Sequence, residues 1–262
     1  MSVVRLDGLL TKHDPQGRAV AISQRSYDGT MVIGGRRGGS IVDIATGEAL
    51  PGTSALASFM TTSRRMHERL LIDAGWLVVS STVAMLVLIG LGLFMGLPRL
   101  ANSLSGWHKG MAWIGLPLVI LSPLTGLFMA MGVSFAPPRS ATPAEGGKPM
   151  ALREAVQIAS RSHDLSGLVW LRPQGNRMLL RVVEGGEFRV YSVSREGTSA
   201  LPRNWPRLLH EGNFAGLWSA LMNVVTSFIL IGLLVTGVWI WARRSLRHAR
   251  HRQARARAAA TA

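Results

Sequence analysis

The chain has 262 residues, 48% of them hydrophobic, a formal net charge of +15 and no cysteine. Without cysteine there is no disulfide, iron–sulfur cluster, thiolate zinc site or covalently attached c-type haem, so a redox cofactor would be held by histidine, methionine or packing alone. A charge of this size would ordinarily point to nucleic acid. Here it lies beside three apolar blocks, each long enough to cross a hydrocarbon core about 30 Å thick, and this assigns it to topology and anionic lipid instead.

In chain order, residues 1–66 read as a small α+β module outside the membrane. MSVVRLDGLLTKHDPQG lacks the apolar core of a secretory signal. His13-Asp14 precedes a glycine and an apolar strand, and residues 30–50 read as hairpin strands with Gly34-Gly35 at the turn. The first span, 67–98, opens on RMHERLL, is apolar from Ile72 to Leu97 and stops at Pro98-Arg99. A cytoplasmic turn, 99–106, leads to the second span, 107–134, which ends before Pro137-Pro138-Arg139. Pro117 and Pro123 predict a kink in it unless neighbours satisfy the freed carbonyls.

Residues 135–209 read as a second external α+β module. A helix is predicted over 149–162, with Leu152, Ala155, Val156 and Ile158 at helical spacing, followed by strands with Gly185-Gly186 at a turn. The third span, 210–243, opens on LLHEGNF, and the tail 244–262 adds arginines without an acid. A basic cluster directly after a span belongs on the cytoplasmic side, which puts both modules outside. Three transmembrane helices and two external modules are therefore expected, and the modules resemble each other as an internal repeat. Each has His-Asp, a glycine three residues on, paired strands, then a His-Glu pair and a span. By that logic a helix equivalent to 107–134 should precede residue 1, in a longer chain or from a partner.

Three stretches, MHERLLIDAGWLVV, GWHKGMAWIGLPLVILSPLTGLFM and the run from LPRNWPRLLHEGNF to VWIWARR, resemble the PepSY-associated transmembrane family. Modules 1–55 and 149–202 are similar to PepSY domains, with Asp43-Ile44-Ala45-Thr46-Gly47-Glu48 as the typical ending. The most specific matches are Leu209-His210-Glu211-Gly212 before the last span, and Thr236-Gly237, Trp239, Trp241 and Arg243-Arg244 at its end. The resemblance implies a bacterial inner-membrane protein with periplasmic modules, similar to iron-regulated membrane proteins and ferric-siderophore reductases, which usually have four spans and b-type haem. It implies a ferric chelate or siderophore as substrate and a separate electron donor. The competing expectation is a non-catalytic PepSY accessory subunit that anchors a larger complex.

Seven histidines are present, and their positions sort them. His248 and His251 lie in the basic tail, and Asp14 and Asp164 beside His13 and His163 read as caps of turns. His67, His108 and His210 each mark the start of a span. Polar groups beside a bundle default to a functional reading, and paired imidazoles can supply both axial bonds of a haem iron. With the resemblance, His67 and His210 are the expected ligands of one haem b on the external side. His108 is the expected ligand of a second, cytoplasmic one that lacks its mate in this chain. Glu68 and Glu211 point away from their histidines and read as interfacial charge. Gly90, Gly92, Gly115, Gly126, Gly232 and Gly237 read as close-approach positions, and Asn223, Thr226 and Ser227 as interhelical hydrogen bonders. Arg172, Arg177, Arg181, Arg189, Arg203 and Arg207 could attract anionic chelates or form a solvated sheet face. No nucleophile–base motif, phosphate loop, flavin or nicotinamide fingerprint, or carboxylate pair stands out.

Overall fold

The computed structural model describes residues 2–35, 38–97, 101–136 and 150–260. The predicted boundaries at Pro98-Arg99 and Pro137-Pro138-Arg139, and the Pro149 start of the second module's helix, lie outside them. The first half runs α1 (Val3–His13), β1 (Ala21–Arg25), β2 (Thr30–Gly35), β3 (Gly38–Asp43), β4 (Ala49–Leu50) and α2 (Ala55–Arg69). The second runs α6 (Leu152–Ser160), β5 (Leu168–Gln174), β6 (Arg177–Glu184), β7 (Glu187–Ser194), β8 (Gly197–Ala200) and α7 (Trp205–Glu211). Between them lie α3 (Gly75–Phe94), α4 (Leu104–Ile114) and α5 (Leu116–Ala130), and α8 (Gly216–Ala260) closes the chain.

The expected pair of separate modules is replaced by one structure. The eight strands form a single sheet in the order β4-β3-β2-β1-β5-β6-β7-β8. The halves join where β1 pairs antiparallel with β5, Ile22 opposite Leu171 and Ser23 opposite Trp170. The physical reason is that a four-stranded module would leave β1 or β5 as an open edge with unpaired backbone groups; pairing the two edges satisfies both. One face is then covered by α1 and α6. Leu6, Leu9 and Leu10 of α1 and Leu152, Ala155 and Val156 of α6 recur at helical spacing and are buried in one cluster with Ile22, Met31, Val42, Leu171 and Leu180.

Of the two predicted glycine turns, only one is a turn among the described residues. Gly185 and Gly186 carry φ of 57° and 79° between the paired Glu184 and Glu187, as a two-residue turn with both central φ positive demands. Gly34 and Gly35 instead end β2, opposite Gly39 and Gly38. A Cβ on Gly34 would lie 2.4 Å from the Gly38 carbonyl oxygen, so close backbone approach is what requires glycine there.

Below the sheet the chain is apolar and exposed. None of the 20 residues of α3 is buried, and at about 1.5 Å per residue the helix measures about 30 Å, the thickness of a hydrocarbon core. Apolar faces of this size need lipid or a partner to cover them. Exposed Trp218 and Trp239 of α8 stand about 32 Å apart along the helix, as two interfacial aromatic belts would. Two helices qualify as spans on their own, and α4 and α5 make a third if the pair, bent by 65°, counts as one. The bend falls at Gly115. Pro117, which sits in the first turn of α5, has no N–H to continue the ladder.

The first and last spans also begin later than predicted. His67 sits on α2 and His210 on α7, each separated from the apolar helix by a short break. Leu70 and Gly212 cap α2 and α7 in the left-handed conformation, so the chain turns before α3 and α8 start. The basic tail continues the last helix: α8 stays helical through Arg243-Arg244 to Ala260.

Candidate functional site: imidazoles at the helix junctions

Two short helices link the sheet to the membrane helices, α2 packing on α3 and α7 on α5 and α8. α2 follows the outer strand of the first half and α7 follows that of the second, so the β1–β5 seam and the packing of α3 on α5 together set one against the other. Asn204 caps α7, its side chain accepting from the Arg207 N–H at 3.0 Å, and the Gly185-Gly186 turn docks at the start of α8 through a Gly216 N–H donated to the Gly186 carbonyl at 2.8 Å. The result brings His67 and His210 together. Their ring centres are 5.9 Å apart and their planes inclined by 29°.

The two rings are held differently. His210 is half-buried, and its Nδ1 lies 3.0 Å from the Ser122 carbonyl oxygen and 3.2 Å from Thr125 Oγ1, both on α5. A carbonyl only accepts, and the Thr125 hydroxyl donates to the Leu121 carbonyl at 2.7 Å. Nδ1 therefore carries the hydrogen, and in the neutral ring Nε2 keeps its lone pair. Burial holds this imidazole below the usual histidine range, and the nearby His67 adds to that, against opposing pulls from the Ser122 carbonyl and Glu211. The ring lies against Gly126, where a Cβ would come within 3.1 Å of Cε1. Asn223 of α8 donates to the His210 carbonyl at 2.8 Å. His67, by contrast, is exposed and makes no hydrogen bond among the described residues.

His108 is not part of this pair. Its Nδ1 lies 2.7 Å from Thr236 Oγ1, whose hydroxyl donates to the Gly232 carbonyl at 2.6 Å. The same reasoning makes Nδ1 the donor and frees Nε2. Thr236 is about 20 Å further along α8 than Asn223, so the two imidazole sites are separated along the bundle. His108 borders a cavity of about 360 Å³ between α3 and α4–α5, also lined by Leu88, Gly92, Met95 and Trp113. A Cβ on Gly237 would lie 3.4 Å from the His108 ring, so each held imidazole rests on a glycine of the neighbouring helix.

Sequence reasoning placed the histidines but missed what holds them. Thr125 and Thr236 are each bonded back to their own helix; Thr125 carried no signal beyond a hydroxyl in an apolar run, and Thr236 stood out only through the family resemblance, not as a partner of His108. Of the three predicted interhelical hydrogen bonders only Asn223 acts so; Thr226 and Ser227 donate to Met222 and Asn223 within α8. Glu68 pairs with Arg64 at 2.8 Å. Glu211 pairs with Arg181 of β6 at 2.7 Å and is 28% exposed, tying α7 to the sheet rather than standing free at an interface. Asp14 and Asp164 do cap turns, accepting from Arg18 and Ser166 N–H groups at 2.8 Å. His163, 8% exposed, bonds Glu184 and Thr198 inside the second half.

A sheet domain seated on apolar helices, with imidazoles held where those helices meet, defines a membrane-associated protein with polar centres inside its bundle. The chain belongs to the family described as the PepSY-associated TM region, which matches residues 8–244. No curated protein matches it significantly.

Proposed function

We propose that the protein is a haem b-binding electron-transfer protein of the bacterial inner membrane. In this reading the sheet domain is periplasmic, the C-terminus is cytoplasmic, and the electron acceptor is a ferric chelate or siderophore. The observation that carries the proposal is the approach of His67 to His210. Two imidazoles with ring centres 5.9 Å apart would be near enough for one bound iron to take a nitrogen from each, an imidazole nitrogen binding a metal at about 2 Å. The second support is the donation of His210 Nδ1–H to a backbone carbonyl, the hydrogen bond that characteristically orients a metal-bound histidine.

When bound, haem b supplies the one-electron centre. The chain's part is to hold the imidazoles: Ser122 and Thr125 set the His210 tautomer, Gly126 leaves room for the ring, and the apolar helices exclude water. His108, oriented by Thr236 beside its own cavity, would hold a second haem. The same order of helix, four strands and helix in both halves supports an internal duplication, which would make His67 and His210 equivalent positions. The electron donor is a separate protein or membrane carrier.

A reduced-minus-oxidised difference spectrum of the purified chain tests the reading. An α-band is expected in the wild type and is lost in His67→Ala and His210→Ala. A preparation from haem-replete cells with no Soret band would sink it and leave the non-catalytic anchor subunit as the surviving function.

A further inference from the structure

On the sheet face opposite α1 and α6, a cavity of about 290 Å³ lies between the strands of the second half and α7. Five arginines line it, Arg172, Arg181, Arg189, Arg203 and Arg207, against one acid, Glu187. The available carboxylates are already shared. Glu187 takes both Arg203, at 2.7 and 2.9 Å, and Arg189, at 3.3 Å. Glu211 takes Arg181 at 2.7 Å and stands 3.7 Å from Arg207. Arg172 meets no carboxylate among the described residues. Its guanidinium lies 4.3 Å from the centre of the Trp170 ring, and burial together with Arg207, Arg181 and Arg64 pulls its pKa below the usual arginine range. Arg181 is 13% exposed, stacks 4.5 Å over Phe188, and has a buried Nε with no hydrogen-bond partner.

Like charges brought this close repel, and their mutual repulsion grows as water is excluded. Five guanidiniums around one cavity with two carboxylates between them leave an excess of positive charge. Stacking on Trp170 and Phe188 covers the flat faces of Arg172 and Arg181 and leaves their N–H edges to point elsewhere. That is the posture in which a guanidinium grips a carboxylate or phosphate with two parallel hydrogen bonds. A solvated sheet face would not need the aromatic platforms.

We propose that this cavity is a binding site for a phosphate or carboxylate group, held by Arg172, Arg181 and Arg207. It stands independently of the haem reading, because none of its residues is an imidazole and its ligand need carry no iron. Two sources can supply such a group. α7 ends where the chain turns toward α8, so the headgroup of an anionic lipid is within reach of Arg207, and the cavity also accepts a free anion.

The intact protein in nanodiscs separates the two. In neutral phosphatidylcholine discs, inorganic phosphate and citrate are titrated calorimetrically. In discs containing phosphatidylglycerol, lipid retained by the protein is counted by native mass spectrometry. Saturable binding of phosphate or citrate assigns a free anion; retained phosphatidylglycerol without free-anion binding assigns a headgroup. Arg172→Gln and Arg207→Gln should each weaken the observed binding about tenfold or more, the value of one charge-assisted hydrogen bond. Arg172→Lys, which keeps the charge and loses the fork, should recover only part of it, and Arg18→Gln, remote from the cavity, should change nothing. Arg172 is exposed at the cavity mouth, so these variants should fold, which circular dichroism checks. Absence of binding in every arm, or equal binding by wild type and Arg172→Gln, overturns the proposal.

Discussion

Leu171→Ala tests the β1–β5 seam that joins the two halves of the sheet. Leu171 is 1% exposed, pairs with Ile22 across the β1–β5 junction and belongs to the cluster under α1 and α6. Truncating a buried leucine costs about 2–5 kcal/mol, according to how far the cavity can collapse. If the eight strands open as one unit, a loss of about 3 kcal/mol accelerates exchange roughly a hundredfold, at about 1.4 kcal/mol per factor of ten, at amides on both sides of the junction. Hydrogen exchange read by mass spectrometry on the detergent-solubilised protein reports this directly. The β2–β3 pairs, Met31 with Val42 and Val32 with Ile41, belong to the half that does not contain Leu171. They should accelerate together with the β6–β7 pairs such as Leu180 with Tyr191. Wild-type rates in β2–β3 beside raised rates in β6–β7 would refute the single sheet as a cooperative unit.

Gly126→Leu forces a side chain against the His210 ring, since even a Cβ would lie 3.1 Å from Cε1; overpacking of this kind costs about 1–3 kcal/mol. The imidazole should be expelled from Ser122 and Thr125, raising its labelling by diethylpyrocarbonate, and unchanged labelling would contradict the placement. Thr236→Val removes the acceptor of His108 Nδ1 at nearly constant volume and should lower stability by about 1–3 kcal/mol, the cost of an unsatisfied buried donor; an unaltered thermal midpoint in detergent tells against the bond. Burial pushes the Glu184 carboxyl up, but hydrogen bonds from Tyr191 and His163 outweigh it, and the group ends below the usual glutamate range. Because the folded value is the lower one, its stabilisation is complete above the ordinary glutamate pKa and is lost as pH falls through the folded value. Glu184→Gln should flatten that acid limb of the stability profile, and an unchanged limb assigns it elsewhere.

The two long apolar helices, α3 and α8, were legible because nothing else explains apolar runs of that length. Their boundaries were less so. Hydropathy registers Leu70 and Leu71 as apolar, yet both have positive φ, at 54° and 62°, and form the break between α2 and α3. Positive φ in a leucine has no composition signal, so His67 was read as the first turn of a span. The strands were legible in each half, but the seam was not. Ile22 and Leu171 fill the core whether β1 and β5 are edges or neighbours, and alternation identifies faces without naming partners. Glu211 was misread for a related reason. Its direction along α7 was correctly reckoned as away from His210, but the sheet bearing Arg181 lies on that side.

The asymmetry of the histidine pair says which half of the site is preformed. His210 has its tautomer fixed by a carbonyl, its ring lodged against Gly126 and its backbone carbonyl bonded to Asn223. Its rotamer freedom was lost on folding. His67 is exposed, with no hydrogen bond among the described residues, and only its helix is held, by packing on α3. Ordering a free side chain costs up to about 1–2 kcal/mol, so an occupant bridging both rings meets that cost at His67 alone. Removing His210 should therefore abolish occupancy together with local packing around α5. Removing His67 should abolish occupancy while leaving Ser122, Thr125 and Asn223 in place.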